Sequence, residues 1–371
     1  MKRIAQLDVL RLFAILLVLG RHMDRLPAQT YGRLLYSISD AWIRCGWIGV
    51  DLFFVLSGFL VSGILFKEHE RSGRIGYGRF FIRRGFKIYP AFYVMLLVTV
   101  LCSTQQPQAI LVEALFVQNY FPRIWNHTWS LAVEEHFYLL LPPALILLYR
   151  TRFIRFLPAI FVAVGCLALL LRAMTAQRAD LASHALLLPT HLRLDSLFFG
   201  VLLSYYYHFK PQRLGIITRH PRLVTGFLGL CVSLSVLLRI ETSIWMNTLG
   251  LSLLYLGFGA LLIGCLYWRP VIRLSESVTG RFLAYLGAHS YSIYLWHMPV
   301  KVWGPGLVGG AFGVELSPLT GFLLYLTGSL AVGVLMAKLV ELPMLRLRDW
   351  VFPPRGKLLA LPDTAYRPEP T

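Results

Sequence analysis

The chain has 371 residues, of which 57% are hydrophobic and only 15% charged, with a mean hydropathy of +0.62. An ordinary soluble domain carries about 25% charge, so that class is excluded. Lysine and arginine outnumber aspartate and glutamate 36 to 18, for a net charge of +18, yet the basic residues are dispersed along the chain rather than gathered on one soluble face, which argues against a nucleic-acid partner.

The first apolar run, at 7–23, contains LDVLRLFAILLVLGRH. An ionisable group at the centre of a bilayer costs about 2.5–3.5 kcal/mol on insertion scales, so Asp8, Arg11 and His22 are expected to face protein and to serve a reaction or pathway. Eleven residues at 100° each bring Arg11 and His22 to nearly one face, about 16 Å apart along the axis, with Asp8 one turn before Arg11. The N-terminus lacks a signal-peptide cleavage pattern, and this span is expected to be retained. The second run, at 45–66, reads GWIGVDLFFVLSGFLVSGIL from Gly46. Its glycines Gly49, Gly58 and Gly63 suit close helix packing as well as they suit a site, whereas the charge of Asp51 needs a partner.

The third run, at 82–103, begins within FFIRRGFKIYP. Arg83, Arg84 and Lys87 lie within about one helical turn; they either hold phosphates or snorkel as a topology cluster. Tyr89 and Pro90 predict a local irregularity. A run at 109–117 is too short to cross and reads as interfacial or re-entrant. NHTWSLAVEEHFYLLLPP then leads into the run at 131–149. Ser130, Glu134 and Tyr138 share a helical face, and Glu135 and His136 point elsewhere. Two adjacent carboxylates with His127 and His136 nearby fit proton handling, with a solvated cap as the plainer reading.

Further runs at 153–171, 185–207, 223–240, 247–267, 282–303 and 318–340 bring the total to about ten transmembrane helices in an all-α polytopic membrane protein. In HLRLDSLFFG, His191 and Asp195 are four apart and able to meet, while Arg193 must find its partner on another helix. In LGAHSYSIYLWHMPV, Ser290, Tyr294 and His297 lie along one face. Tyr291, Tyr294 and Trp296 fit interfacial anchors equally well; His297, near the outer end like His22, does not.

Of the 36 lysines and arginines, 24 fall on segments that share a side with the N-terminus and 8 on the other side. The positive-inside rule then places both termini in the cytoplasm. Residues 1–350 form the integral membrane domain and 351–371 a short, proline-containing cytoplasmic tail. No internal repeat of the kind used by inverted-repeat transporters is visible. The five cysteines form no metal-type spacing. Most read as apolar fillers, with a bridge between Cys45 and Cys102 left open.

Taken in order, LDVLRLFAILLVLGRH, GVDLFFVLSGFL, FFIRRGFKIYP, HTWSLAVEEHFYLLLPP, RLDSLFFG, HSYSIYLWH and VELP resemble the acyltransferase type 3 family of integral membrane acyltransferases along almost the whole chain. The family's arginine, ten-residue gap, histidine pattern falls on Arg11 and His22. Its basic cluster falls on Arg83, Arg84 and Lys87, with lysine where a further arginine is often found; that keeps the charge but loses the bidentate fork. The resemblance implies O-acylation, usually O-acetylation, by cytoplasmic acyl-CoA (acetyl-CoA) of an extracytoplasmic or membrane-associated acceptor, such as a surface polysaccharide or a lipid-linked sugar. It also implies a multi-pass location in the cell membrane, expected to be a bacterial inner membrane. Some members carry a fused extracytoplasmic hydrolase-like domain. This chain is expected to work without one, either alone or with a separate extracytoplasmic partner protein.

On this reading His22 is the central catalyst, acting as base or as acyl carrier. Arg11 binds the pantetheine arm or polarises the thioester, and Glu134 orients His22 or relays its proton. Asp8, Arg193, Asp195 and His297 complete the catalytic candidates; Arg83, Arg84, Lys87 and Tyr89 are the candidates for holding the donor, and no metal is expected. The rival class is a proton-coupled small-molecule transporter, since intramembrane histidine, carboxylate and arginine also build proton relays. That class does not require the basic cluster or the ordered motifs.

Overall fold

A computed structural model describes residues 4–178, 186–313 and 315–353. The tail expected over 351–371 therefore lies outside the described residues from 354 onward, as do Lys2 and Arg3 of the charge asymmetry. Among the described residues all regular structure is helical: α1 (Ala5–His22), α2 (Ala28–Cys45), α3 (Ile48–Ser72), α4 (Tyr77–Cys102), α5 (Pro107–Ala114), α6 (Trp129–Arg150), α7 (Leu157–Ala176), α8 (Leu194–Phe209), α9 (Gly215–Arg219), α10 (Pro221–Leu237), α11 (Leu251–Tyr267), α12 (Arg269–Glu276), α13 (Val278–Ala288), α14 (Ser290–Phe312), α15 (Pro318–Met336) and α16 (Leu342–Val351). The chain is a polytopic helical membrane protein.

Local sequence explains where these helices start and stop. Asp8 lies in the first turn of α1 and Arg21 and His22 in its last, each complementing the helix dipole. Pro107, Pro221 and Pro318 stand at the first residue of α5, α10 and α15, where the missing N–H costs nothing. Ser277 caps α13 by accepting from the Gly280 amide at 3.0 Å. Pro90 is accommodated inside α4, which runs unbroken. Short π-helical segments, Met246–Gly250 and Ala337–Glu341, precede α11 and follow α15.

Among the described residues six helical stretches are long and apolar enough to cross a membrane, or seven if the bent pair Pro211–Arg219 and Pro221–Leu237, which turns by 76°, counts as one. The other apolar runs are helical as well, but shorter, more charged or interrupted. α1 carries Asp8, Arg11 and Arg21; α8 has only 16 residues; the run at 282–303 breaks at His289 into α13 and α14. Residues 109–117 fall in and after the short α5, as their length predicts. α2 was not foreseen. Tyr31, Leu35, Ile38, Trp42 and Cys45 repeat along it at alternating four- and three-residue spacing, the mark of an amphipathic helix.

α3 is the most enclosed of the six apolar spans, and it packs most extensively on α8. A Cβ on Gly58 would sit 1.9 Å from the Leu197 carbonyl oxygen, and one on Gly200 would sit 2.3 Å from that of Val55. Only glycine lets the two backbones approach so closely. Buried apolar residues gather in two groups that share α1, α3 and α8, one extending to α4, α6 and α14, the other to α10 and α11. All five cysteines are free thiols, so Cys45 and Cys102 are not bridged.

Candidate active site

Between α1, α3, α4, α6 and α14 lies a cavity of about 850 Å³, counting its open mouth. Its basic end carries Arg11, Arg84 and Lys87; its other end carries Ser130 and Tyr294; its long wall is apolar, with Val50, Phe53, Phe54, Leu56, Leu60 and Val61 from α3. Arg11 is held by Asp8, one turn earlier, at 2.6 Å. The pairing follows from i,i+3 spacing on one helix, and the Arg11 side chain stays 28% exposed while that of Asp8 is 5% exposed.

Two adjacent carboxylates on α6 face this cavity. Glu134 accepts from Ser57 Oγ and from Tyr138 Oη, each at 2.8 Å. Tyr138 in turn accepts from Arg84, whose guanidinium also lies 4.1 Å over the Tyr138 ring. Arg84 thus reaches the carboxylate through a phenol, in a stacked and bonded geometry suited to guanidinium rather than ammonium. Glu135 accepts from Tyr89 Oη at 3.0 Å and has a second oxygen, Oε1, without a partner. The expectation that Glu135 points away from Glu134 is corrected here, because a cavity this wide spans the 100° between successive side chains. His136 does turn elsewhere, to Thr190 Oγ1 at 2.7 Å.

Beyond Tyr294 lie three imidazoles. The His297 ring centroid is 5.2 Å from that of His22 and 4.7 Å from that of His127. Tyr294 stands between this cluster and the cavity: its hydroxyl donates to the His127 carbonyl at 2.6 Å, lies 2.6 Å from Ser130 Oγ, and its ring is 5.6 Å from that of His297. His22 is partly buried, and its carbonyl accepts from Lys301, which also pairs with the exposed Asp24 at 3.0 Å. Among the described residues no group of histidines, cysteines and carboxylates is placed to hold a metal ion.

The segment that carries His127 is clamped from α5. Glu113 Oε1 accepts from the amides of Ile124 and Trp125 at 3.1 and 3.2 Å and from Thr128 Oγ1 at 3.0 Å. Burial pushes the Glu113 carboxyl above its ordinary range, against the pull of the Trp125, Thr128 and Ile124 bonds and of the Arg123 charge.

The sequence profile of a family described as an acyltransferase domain matches residues 4–338. The chain belongs to the acyltransferase 3 family. Among relatives of this chain, the peptidoglycan O-acetyltransferase OatA of Listeria monocytogenes is 27% identical over 328 residues, covering 81% of this chain and 49% of that one. Bacillus subtilis YrhL, provisionally named a peptidoglycan O-acetyltransferase, is 29% identical over 325 residues, covering 80% of this chain and 48% of its own. A Staphylococcus aureus (strain COL) protein, provisionally named an O-acetyltransferase, is 29% identical over 331 residues, covering 81% and 51%. The chain spans about half the length of these curated relatives. No solved structure gives a significant match.

The fold divides the residues singled out from sequence. Arg11, Arg84, Lys87 and Glu134 line one cavity, with Asp8 and Tyr89 bonded to members of its wall. His22 and His297 are neighbours beyond Tyr294. Arg83 is turned away, paired with Asp349 at 2.9 Å and donating to the Phe352 carbonyl. Arg193 does find its partner on another helix, Asp51 of α3 at 2.6 Å. Asp195 does not meet His191: it pairs with Arg172 of α7 at 2.8 Å, and His191 Nδ1 lies 3.1 Å from Tyr120 Oη. Neither buried pair lines the cavity. Glu134 bonds Ser57 and Tyr138 rather than His22. Glu341 of the VELP motif is buried on the π-helical segment and accepts from Ser292 at 2.8 Å, fixing α14. Sequence reasoning noted His127 only as a neighbour of the carboxylates; its place just before Thr128, the residue that precedes α6, was its available signal.

Proposed function

We propose that this chain is a membrane-bound O-acyltransferase that moves an acyl group, most simply acetyl, from cytoplasmic acyl-CoA to a hydroxyl of an extracytoplasmic or membrane-associated glycan. The observation that carries this reading is a single cavity running from three basic side chains, along an apolar wall, to the edge of a histidine cluster. Cations at one end suit the phosphates of CoA, and an apolar channel suits the thin pantetheine arm. The thioester would then stop beside Ser130 and Tyr294, within reach of the imidazoles.

His22 is the reacting base. The acceptor hydroxyl oxygen attacks the thioester carbonyl carbon while His22 takes the hydroxyl proton; the C–S bond breaks and the CoA thiolate leaves, taking up a proton in turn. An acyl-histidine on His22, formed by the imidazole attacking first, is the two-step version of the same chemistry. Glu134 acts through Tyr138 on Arg84 and so positions the donor end. Arg193 with Asp51, and Asp195 with Arg172, hold helices together and take no part in transfer. The same reading has the chain cross the bacterial inner membrane ten times, with both termini and the Arg84 end of the cavity on the cytoplasmic side.

The test is turnover in vesicles sorted by orientation, with acetyl-CoA supplied to the face bearing Arg84. His22→Ala should cut CoA release by about 10²–10⁴-fold with insertion unchanged. Full turnover in that variant would remove His22 from the chemistry. No turnover in the wild type, together with substrate-dependent proton flux, would favour the transporter instead.

A further inference from the structure

His127 and His297 are each fixed in one tautomer by the backbone. His297 Nδ1 lies 2.6 Å from the Tyr294 carbonyl oxygen, and His127 Nε2 lies 3.3 Å from that of Leu295. A carbonyl only accepts, so each of these nitrogens carries the proton, and in a neutral ring the other nitrogen carries a lone pair. Those other nitrogens, His297 Nε2 and His127 Nδ1, are both buried without a partner. The two residues are 0% and 1% exposed. Leaving a buried acceptor unpaired is costly, and here two such acceptors sit on rings 4.7 Å apart, with a third imidazole, His22, 5.2 Å from one of them.

We propose that His127 and His297 form a two-point acceptor for neighbouring hydroxyl donors of a polyol substrate, one of which is thereby presented to His22. The assignment of this substrate as the acyl acceptor rests on the acyltransferase reading above; the binding itself does not. The chemistry selects the class. Two unpartnered lone pairs on rings whose centroids are 4.7 Å apart suit two O–H donors on one ligand, as adjacent sugar hydroxyls supply, and reject a ligand with acceptors only. The approach proposed for the ligand is past His22, which is partly buried and whose carbonyl accepts from the partly exposed Lys301, itself paired with the exposed Asp24. His127 is held to the task by the Glu113 clamp on residues 124, 125 and 128, and by Gln118, whose side chain donates to the Thr128 carbonyl at 3.0 Å.

The experiment uses the full chain in lipid nanodiscs with ¹⁵N-labelled histidine and methyl β-D-glucopyranoside as the probe. In the wild type the unprotonated nitrogens of His127 and His297 should move upfield as they accept hydrogen bonds, saturably with glycoside and not with its fully O-methylated analogue. His127→Gln keeps a donor for the Leu295 carbonyl but removes the acceptor at the δ position, and should weaken glycoside binding about tenfold without lowering the melting temperature. His127→Asn, with an acceptor oxygen near the δ position, should recover most of that loss. Unmoved resonances in the wild type, or wild-type affinity in His127→Gln, overturn the proposal. CoA release from acetyl-CoA is followed in the same discs. Its absence would count against the acyltransferase reading while leaving the binding result to decide this one.

Discussion

Glu134 shows how a single residue can be tied to chemistry by its bonds. Both of its oxygens accept, one from Ser57 and one from Tyr138, and Tyr138 is itself held by Arg84. Glutamine is nearly the same shape, yet it must turn an NH₂ toward one of two donors. Ser57 can rotate its hydroxyl to accept; Tyr138 would lose the acceptor of its own proton. Glu134→Gln is therefore expected to fold with a loss of about 1 kcal/mol, as for one neutral hydrogen bond. It also removes the negative charge facing Arg84, loosening a guanidinium that the proposed function places at the donor end. The expected kinetic result is a several-fold rise in KM for acetyl-CoA, with a smaller change in kcat, measured as CoA release. A fall in kcat alone would instead put Glu134 in the chemical step.

At the scale of elements, the pairing of α3 with α8 explains both what the sequence revealed and what it hid. That Asp51 needs a partner, and that Arg193 must look to another helix, follows from the cost of bare charge in a membrane and from spacing. That each is the other's partner depends on how closely the helices approach, which Gly58 and Gly200 set through backbone contacts far apart in sequence. The failed pairing of His191 with Asp195 has the same origin. Helical spacing allowed it, but the chain enters α8 through a 3₁₀ turn at Thr190–Leu192, and Arg172 arrives from α7 with a bidentate fork. Similarly, Arg83 and Arg84 are adjacent, yet only Arg84 lines the cavity because α16 claims Arg83. If Asp51–Arg193 is structural, removing one partner should destabilise strongly, by about 3–5 kcal/mol for a buried pair, whereas removing both should be far milder. Asp51→Leu and Arg193→Met are expected to melt early in detergent, and the double variant is expected to regain most of the loss together with CoA release. A stable but inactive double variant would return Arg193 to the catalytic machinery.

For the whole molecule, the decisive property is that the basic and histidine ends of one site lie at opposite ends of antiparallel helices. α1 carries Arg11 near its start and His22 at its last residue. α4 brings Arg84 and Lys87 from its first half, while α6, running the other way, brings Ser130 from its first turn and Tyr138 from further along. On the proposed function, a donor entering past Arg84 and an acceptor approaching His22 would meet from opposite ends of these helices, and acyl transfer would cross much of the bilayer without CoA itself crossing. The proposed orientation, with the Arg84 end on the cytoplasmic side, rests on the charge asymmetry of the loops. Two consequences are measurable together. An impermeant thiol reagent should label a cysteine introduced at Asp24, 88% exposed next to the His22 end, only from outside intact cells, and one introduced at the exposed Ser277 between α12 and α13 only after permeabilisation. The label on both background chains requires the native exposed thiols Cys102 and Cys166 to be replaced by serine first. In vesicles of the same orientation, acetyl-CoA should be consumed only when supplied to the Ser277 side. Labelling of both positions from one side would rule out this arrangement of the bundle, and consumption of acetyl-CoA from the Asp24 side would reverse the assignment of donor and acceptor ends.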